Sequence, residues 1–402
     1  MTDTFAAAKR RRWAYAALGV ILLLFLGLIY AWSVFRVPLE QEFGWAKSET
    51  SITFSISMMM FCLGGLVSGI ITGKRGARFT LTCCAAFLAA GFMAASRIDS
   101  LLGIYITYGG LCGFGVGLGY NATISTVLKW FPDKQGLVSG IALMGFGFGG
   151  MILGTLGASL ITSMGWRTTF VIFAAAFAII MLLGATLLRP ASAEFLSRLS
   201  TQGAKTSFCV EDVDYRLMLR RRNFWLYFAF AIILSAAGLA VINISTAYAG
   251  TFLGNNLTQA AAVAGLVSIA NGLGRVLFGG VFDAKGYRFT MFAVCVTFVA
   301  AGAMLLLAEM THNIYVLSAA FLMIGLAYAG VVPTNSAYTA YFFGQKNYSL
   351  NFSITNLNLI VASYLGPWCA NGEYTTTFII IIAFAIIGMA ITFAIRRPAA
   401  EI

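Results

Sequence analysis

Long apolar runs separated by short charged segments dominate the pattern of this chain. Each run is about 20 residues long, the length an α-helix needs to cross a hydrocarbon core about 30 Å thick. The runs are continuous and do not alternate in polarity as the strands of a membrane barrel do. Because only helices and closed barrels satisfy the backbone in lipid, the pattern predicts an all-α membrane protein.

Charged residues mark the ends of twelve predicted spans, and a polar segment of mixed charge divides them into two sets of six. The sequence therefore predicts an N-terminal six-helix bundle (1–188), a linker (189–222) and a C-terminal six-helix bundle (223–402). The expected spans are 13–35, 48–72, 79–96, 101–127, 137–161, 168–188, 223–247, 257–282, 289–308, 313–337, 347–366 and 375–395.

Composition agrees with lipid as the solvent, since 60% of the residues are hydrophobic and 10% are charged, against roughly 25% charged in soluble domains. The net charge of +12 sits in short loops between apolar runs, which argues against nucleic acid as a partner. A basic run precedes the first span as in a signal peptide, but no small-residue cleavage site follows, so we expect a retained helix.

The distribution of the 26 basic residues predicts the orientation. Those in the odd-numbered loops are Arg36, Lys47, Arg97 and Arg167, and the others, apart from Arg275, lie in the even-numbered loops or near the termini. Basic residues favour the cytoplasmic side. We therefore expect an integral protein of the cytoplasmic (inner) membrane, with both termini and the linker in the cytoplasm.

Two short segments recur in the second half of the chain. Residues 69–78 (GIITGKRGAR) correspond to 279–288 (GGVFDAKGYR), and 131–134 (FPDK) correspond to 343–346 (FGQK). Two parallel six-helix repeats with a binding site near the bilayer midplane are typical of transporters.

These residues carry a family resemblance that covers essentially the whole chain. The loops at 69–78 and 279–288 resemble the signature loop of the major facilitator superfamily, with Asp283 as the usual acid and Gly73 as a departure. Residues 129–140 (KWFPDKQGLVSG) resemble the oxalate:formate antiporter family, which is related to the monocarboxylate transporters. Residues 30–34 (YAWSV) and 271–275 (NGLGR) agree with this. The resemblance implies the twelve-helix transporter fold and leaves the substrate open.

Arg275 is the one ionisable residue deep within a predicted span. It precedes Asp283 by eight residues, which puts it roughly 12 Å inside the cytoplasmic boundary of a helix. A charge at that depth costs at least about 2.5–3.5 kcal/mol, and no acid lies deep within a predicted span to offset it. A carboxylate substrate would fit the guanidinium fork with two hydrogen bonds. The alternative is an arginine bonded to helix carbonyls for packing alone.

The family resemblance bears on two further positions. This chain has Asn271 one helical turn before Arg275. The monocarboxylate transporters have an aspartate at the corresponding position, and the resemblance implies that their aspartate accepts a proton. Asparagine can orient the arginine but cannot take up a proton. The oxalate exchanger of the resembled family has a lysine in span 11 at the position that aligns with Thr355. With one cation in place of two, this chain is expected to prefer a monocarboxylate.

Other side chains could complete the site or serve only for packing. A buried tyrosine hydroxyl needs a partner, but interfacial anchoring and interhelix hydrogen bonds are alternatives. Tyr30 and Tyr120 also match aromatic positions of the resembled family, and Phe146 and Phe352 could form apolar walls. The remaining binding candidates are Asn121, Tyr328 and Asn356, and the conformational loops contribute Asp283, Arg75, Arg78 and Arg288.

The sequence predicts a secondary transporter, because no Walker-type phosphate loop is present that would indicate ATP-driven transport. We do not expect an enzyme, because the sequence shows no nucleophile–base pair and no metal-ligand cluster. No cofactor or metal is expected. The expected cargo is a small carboxylate such as lactate or pyruvate, accompanied by a proton, and the expected state is a monomer in the bilayer. Alternatives are an oxalate/formate-type anion exchanger and a transport-dead nutrient sensor, which the absence of a large added domain disfavours.

Overall fold

The structure is a computed structural model, described here for residues 2–191, 195, 212–253, 257–370 and 373–396. Every regular element in these ranges is helical, so the all-α prediction is confirmed. The α-helices are α1 Thr2–Leu26, α2 Trp32–Phe43, α3 Lys47–Ala95, α4 Leu101–Ile104, α5 Gly113–Leu128, α6 Gln135–Leu187, α7 Tyr215–Arg220, α8 Arg222–Phe252, α9 Leu257–Thr311, α10 Ile314–Phe343, α11 Tyr348–Asn356, α12 Asn358–Cys369 and α13 Tyr374–Ala394.

Three of these helices are pairs of spans joined at a single glycine. Gly76, Gly165 and Gly286 break α3, α6 and α9 at φ values of 81°, 78° and 78°. A side chain is strained at such angles, whereas glycine adopts them readily. Gly76 and Gly286 occupy corresponding positions of the two sequence repeats, so the same turn follows the second span of each half.

Division at these glycines gives the twelve predicted spans within the described residues. Eight helices are long and apolar enough to cross a membrane, three of them being the kinked pairs. Three spans are less regular than predicted. The first contains a 3₁₀ segment, Gly27–Ala31, and the fourth contains a π-helical segment, Tyr105–Cys112. The eleventh is interrupted between α11 and α12 at residue 357.

The chain forms two compact units, each of which takes one short segment from the other half of the sequence. Their bounds differ in this respect from the predicted bundles 1–188 and 223–402. The first unit comprises Met1–Asp133, Met144–Thr206 and Asn347–Asn356, and the second comprises Lys134–Leu143, Ser207–Lys346 and Leu357–Ile402.

Glycine permits close helix contacts within the first unit. A Cβ on Gly149 would lie 2.0 Å from the carbonyl oxygen of Leu24, and one on Gly117 would lie 2.1 Å from that of Phe61. No side chain fits at these distances. Small residues that allow backbones to touch are characteristic of helix packing in membranes, where little hydrophobic force acts between helices.

Candidate substrate-binding site

Arg275 lies on α9 in the second unit and is almost fully buried, with 3% of its surface exposed. Its Nη1 donates a hydrogen bond of 2.6 Å to the carbonyl oxygen of Leu143. Its Nε is buried and has no partner among the described residues, and no ion pair joins Arg275 to a carboxylate in them. The cation is therefore held by one carbonyl and keeps donor capacity for an anion.

The contact with Leu143 depends on glycine-mediated packing between the start of α6 and α9. A Cβ on Gly140 would lie 2.3 Å from the carbonyl oxygen of Arg275. One turn earlier, a Cβ on Gly136 would lie 2.2 Å from the carbonyl oxygen of Gly279. These backbones touch, and the contact brings the carbonyl of Leu143 within reach of the guanidinium.

Asn271 lies one helical turn before Arg275 and is half-buried. Its Oδ1 is buried without a hydrogen-bond partner among the described residues. A buried acceptor left unsatisfied costs about 1–3 kcal/mol. A ligand with a donor group, such as the hydroxyl of a hydroxy acid, would satisfy it. An acceptor and a cation on the same helix face suit a substrate that carries both a carboxylate and a hydroxyl.

Tyr328 also lies in the second unit, on α10, with 8% of its surface exposed. Its ring packs over α8, where a Cβ on Gly238 would lie 2.4 Å from it. Glycine at 238 thus makes room for the tyrosine ring.

An aromatic cluster of Tyr30, Phe61, Tyr120, Phe146 and Phe352 lies in the first unit. The Tyr120 ring centroid is 5.1 Å from that of Phe61 and 5.0 Å from that of Phe146, both edge to face. Tyr30 meets Phe146 at 5.3 Å and is 43% exposed. Phe352 stacks on Tyr120 at 6.3 Å. The structure thus brings Tyr30 and Tyr120 together with the candidate apolar walls Phe146 and Phe352.

The two candidate asparagines of the first unit have different surroundings. Asn121 is 1% exposed, and its Nδ2 donates to the carbonyl oxygens of Gly65 and Ser349, both at 2.9 Å. Asn356 ends α11 and is 8% exposed, and its carbonyl accepts a weak contact of 3.9 Å from Cys62 Sγ. The amide nitrogen of Asn121 is therefore already bonded to protein.

Side chains of the signature loop at 279–288 form hydrogen bonds with backbone groups at the ends of other helices. Asp283 accepts hydrogen bonds from the backbone N–H of Gly136 at 2.8 Å and of Leu137 at 2.7 Å, where α6 begins. An acid is favourable there because the free N–H groups of a helix N-terminus carry partial positive charge. Arg288 donates to the carbonyl oxygen of Ile395 at 3.1 Å. The loop after the second span has Arg75 over the Phe79 ring at 4.9 Å, and Arg78 is exposed.

Sequence reasoning did not identify Leu143 as the partner of Arg275. The contact uses a backbone carbonyl, which every residue has, so the residue type gives no signal. The glycines at 136 and 140 were the available hint, since close helix contacts need small residues. In the described residues, no group of three or more potential ligands could hold a metal ion.

Twelve apolar spans in two repeats, with a buried and partly unpaired cation in one of them, define a polytopic membrane transporter. The profile of the Major Facilitator Superfamily matches residues 17–358. The chain belongs to this superfamily, and it is an integral membrane protein.

Several curated proteins are similar over most of their length. The oxalate:formate antiporter of Oxalobacter formigenes is 28% identical over 398 residues, which cover 96% of this chain and 92% of the antiporter. The uncharacterized MFS-type transporter YhjX of Escherichia coli (strain K12) is 27% identical over 359 residues, covering 88% and 86%. Monocarboxylate transporter 12 of Mus musculus is 25% identical over 398 residues, covering 90% and 79%.

A solved structure shares the fold. The proton:xylose symporter XylE, bound to 6-bromo-6-deoxy-D-glucose, has a TM-score of 0.72 with 15% sequence identity and covers 95% of each chain. At this identity the likeness concerns the fold alone, and it confirms the predicted twelve-helix arrangement.

Proposed function

We propose that this protein is a secondary active transporter of small monocarboxylates, such as lactate or pyruvate, which it moves with a proton by alternating access. The observation that carries the proposal is Arg275, a buried cation with no ion pair among the described residues and with an unpartnered Nε. A bound carboxylate would supply the missing negative charge and accept two hydrogen bonds from the fork.

The number of cations supports a single negative charge on the substrate. Thr355, the position that aligns with a lysine in the resembled oxalate exchanger, is fully buried, and its hydroxyl donates to the carbonyl oxygen of Asn351 at 2.8 Å. Because threonine supplies no positive charge, a dianion bound at Arg275 would lack half of its countercharge. Transfer of an uncompensated charge into a membrane interior is costly, which favours lactate over oxalate.

We propose the following division of roles among the candidate residues. Arg275 binds the carboxylate, and Asn271 orients the substrate through its unpartnered Oδ1. Tyr30, Tyr120 and Tyr328 contribute ring surface and hydroxyl groups. Asn356 is a further candidate contact at the end of α11. Asp283, Arg75, Arg78 and Arg288 act at the ends of helices in the conformational cycle.

Coupling to a proton would make the transport cycle electroneutral. An unoccupied site that reorients with a bare cation is subject to the membrane potential, at about 2.3 kcal/mol per charge per 100 mV. A carboxylate that enters with a proton keeps the overall cycle neutral. We further propose that the protein works as a monomer in the cytoplasmic membrane, with both termini in the cytoplasm, and has no enzymatic activity.

Anion exchange is the second candidate, and two observations favour it. The similarity to the oxalate:formate antiporter spans nearly the whole chain. In addition, Asn271 cannot accept the proton that an aspartate at this position would accept. One-for-one exchange is also electroneutral overall, so the two candidates differ in what drives the transport.

Uptake of labelled lactate into proteoliposomes tests the proposal. Vesicles without internal substrate are given an acid-outside pH gradient, and matched vesicles are given none. Accumulation above the external concentration, only with the gradient, is the result expected for symport. Uptake that requires internal formate or lactate and ignores the gradient would make the protein an exchanger. No lactate movement under any of these conditions would remove the proposed substrate.

A further inference from the structure

A cluster of hydrogen bonds joins three helices inside the first compact unit. It consists of Asn121 on α5, Gly65 on α3, and Ser349 and Ser353 on α11, and we call it the Asn121 cluster. Asn121 Nδ2 donates to the carbonyl oxygens of Gly65 and Ser349, both at 2.9 Å, and contacts the Ser353 hydroxyl. That hydroxyl lies 2.7 Å from the carbonyl oxygens of Gly65 and Ser349.

The cluster is built around a close approach of α11 to α3. A Cβ on Gly69 would lie 2.5 Å from Ser353 Oγ, 2.8 Å from Leu350 Cα and 2.8 Å from the carbonyl oxygen of Ser349. Any side chain at 69 must therefore push α11 away. The next turn of α3 is different, because a Cβ on Gly73 would have nothing within 4 Å.

The members of the cluster come from different sequence repeats. Gly65 and Asn121 belong to the first set of six spans, whereas Ser349 and Ser353 belong to the second. Alternating access moves one repeat against the other, so contacts of this kind must form and break in each cycle. Hydrogen bonds suit such a contact, because separated amide and hydroxyl groups can bond to entering water instead.

We propose that Asn121 is a positioning residue that holds α11 in the conformation of this structure and releases it in each cycle, without contacting the substrate. The proposal rests on the proposed transport function, and it assigns the side chain a different partner from the one expected from the sequence. The amide is 1% exposed, and its nitrogen contacts three protein oxygens. Little donor capacity is left for a substrate.

A native cysteine reports on this contact. Cys62 on α3 is 4% exposed, and its Sγ lies 3.9 Å from the carbonyl oxygen of Asn356 at the end of α11. Release of α11 would uncover the thiol. Its alkylation rate therefore measures the released population when opening and closing are fast compared with labelling. The measurement needs no substrate, so it is independent of the cargo.

The experiment follows alkylation of Cys62 in full-length protein in nanodiscs, with peptide mass spectrometry to resolve it from the other cysteines. The variants are Asn121→Ala and Gly69→Ala, with Gly73→Ala as the matched control on the same helix. Loss of the buried amide should raise the labelling rate roughly 5- to 150-fold, as expected for removal of a buried hydrogen-bonding group. Gly69→Ala should raise it without altering Asn121, and Gly73→Ala should match wild type.

Transport of lactate by the same variants separates positioning from binding. Because release of α11 changes which state is populated, Asn121→Ala should alter the apparent affinity in opposite directions at the two membrane faces. A lost substrate contact would weaken binding at both faces. If wild type moves no lactate, the proposed cargo is wrong, while the labelling result stands. The proposal would be overturned if labelling were unchanged in both Asn121→Ala and Gly69→Ala, or if it increased only in Asn121→Ala. An equal increase in the control Gly73→Ala would also overturn it.

Discussion

Arg275→Lys is the substitution that isolates the geometry of the guanidinium from its charge. Lysine keeps the positive charge, but its ammonium cannot present the planar fork that binds a carboxylate with two parallel hydrogen bonds. In the structure, Nη1 is already used on the carbonyl oxygen of Leu143 at 2.6 Å, and Nε has no partner. An ammonium that replaces the Leu143 contact has less capacity left for the substrate.

The expected magnitude follows from one lost charge-assisted hydrogen bond. Such a bond contributes about 1.5–3 kcal/mol, and each 1.4 kcal/mol corresponds to a tenfold change in affinity. We therefore expect the apparent KM for lactate to rise roughly 10- to 150-fold in Arg275→Lys. Arg275→Ala should lose transport altogether, because the substrate charge is then uncompensated in the membrane interior.

The assay is counterflow of labelled lactate into vesicles loaded with unlabelled lactate, which symporters and exchangers both perform. Arg97→Lys is the matched control, since Arg97 is exposed in the loop between the third and fourth spans and has no proposed role in transport. Each variant is first checked for a wild-type melting temperature in detergent. A properly folded Arg275→Lys or Arg275→Ala protein with a KM within about threefold of wild type, well below the expected loss, would refute the carboxylate-binding role.

Three further predictions, tested with four substitutions, concern neighbouring parts of the account. Thr355→Lys should shift preference from lactate toward oxalate by supplying a second cation, measured as the ratio of their inhibition constants in counterflow. Gly140→Ala should lower stability by about 1–3 kcal/mol through overpacking, because its Cβ would lie 2.3 Å from the carbonyl oxygen of Arg275. Gly265→Ala, whose Cβ has nothing within 4 Å, should not destabilise, and equal melting temperatures for the two would contradict the packing argument. Asn271→Asp should place a titratable carboxylate one turn from Arg275, so lactate transport should become more dependent on pH than in wild type. An unchanged pH profile would argue against a coupling role for this position.

The fold was predictable because the signals for it are local. Apolar runs long enough to span the bilayer predicted the helices, and the repeated segments 69–78 and 279–288 indicated two six-helix repeats. The structure adds that both segments turn at a glycine, Gly76 and Gly286. Arg275 was also predictable, since an ionisable residue within an apolar run has to be explained by function or by compensation.

The contacts of the candidate site were less accessible to sequence reasoning. Arg275 bonds to the carbonyl of Leu143, and Asn121 bonds to the carbonyls of Gly65 and Ser349. Backbone acceptors do not depend on residue type, and their positions depend on how distant helices pack. For the same reason, the sequence did not distinguish an asparagine that positions a helix from one that binds a ligand.

The central claim is that one buried cation binds one carboxylate, and competition against labelled lactate in wild-type counterflow tests it most directly. The competitors are pyruvate, oxalate and lactamide, the neutral amide that has nearly the shape of lactate. Pyruvate should compete at concentrations similar to those of unlabelled lactate. Lactamide lacks the negative charge, and oxalate carries an extra one. Each should therefore need a concentration at least about tenfold higher than that of lactate for the same inhibition. Competition by lactamide or oxalate at the concentrations effective for lactate would contradict the claim.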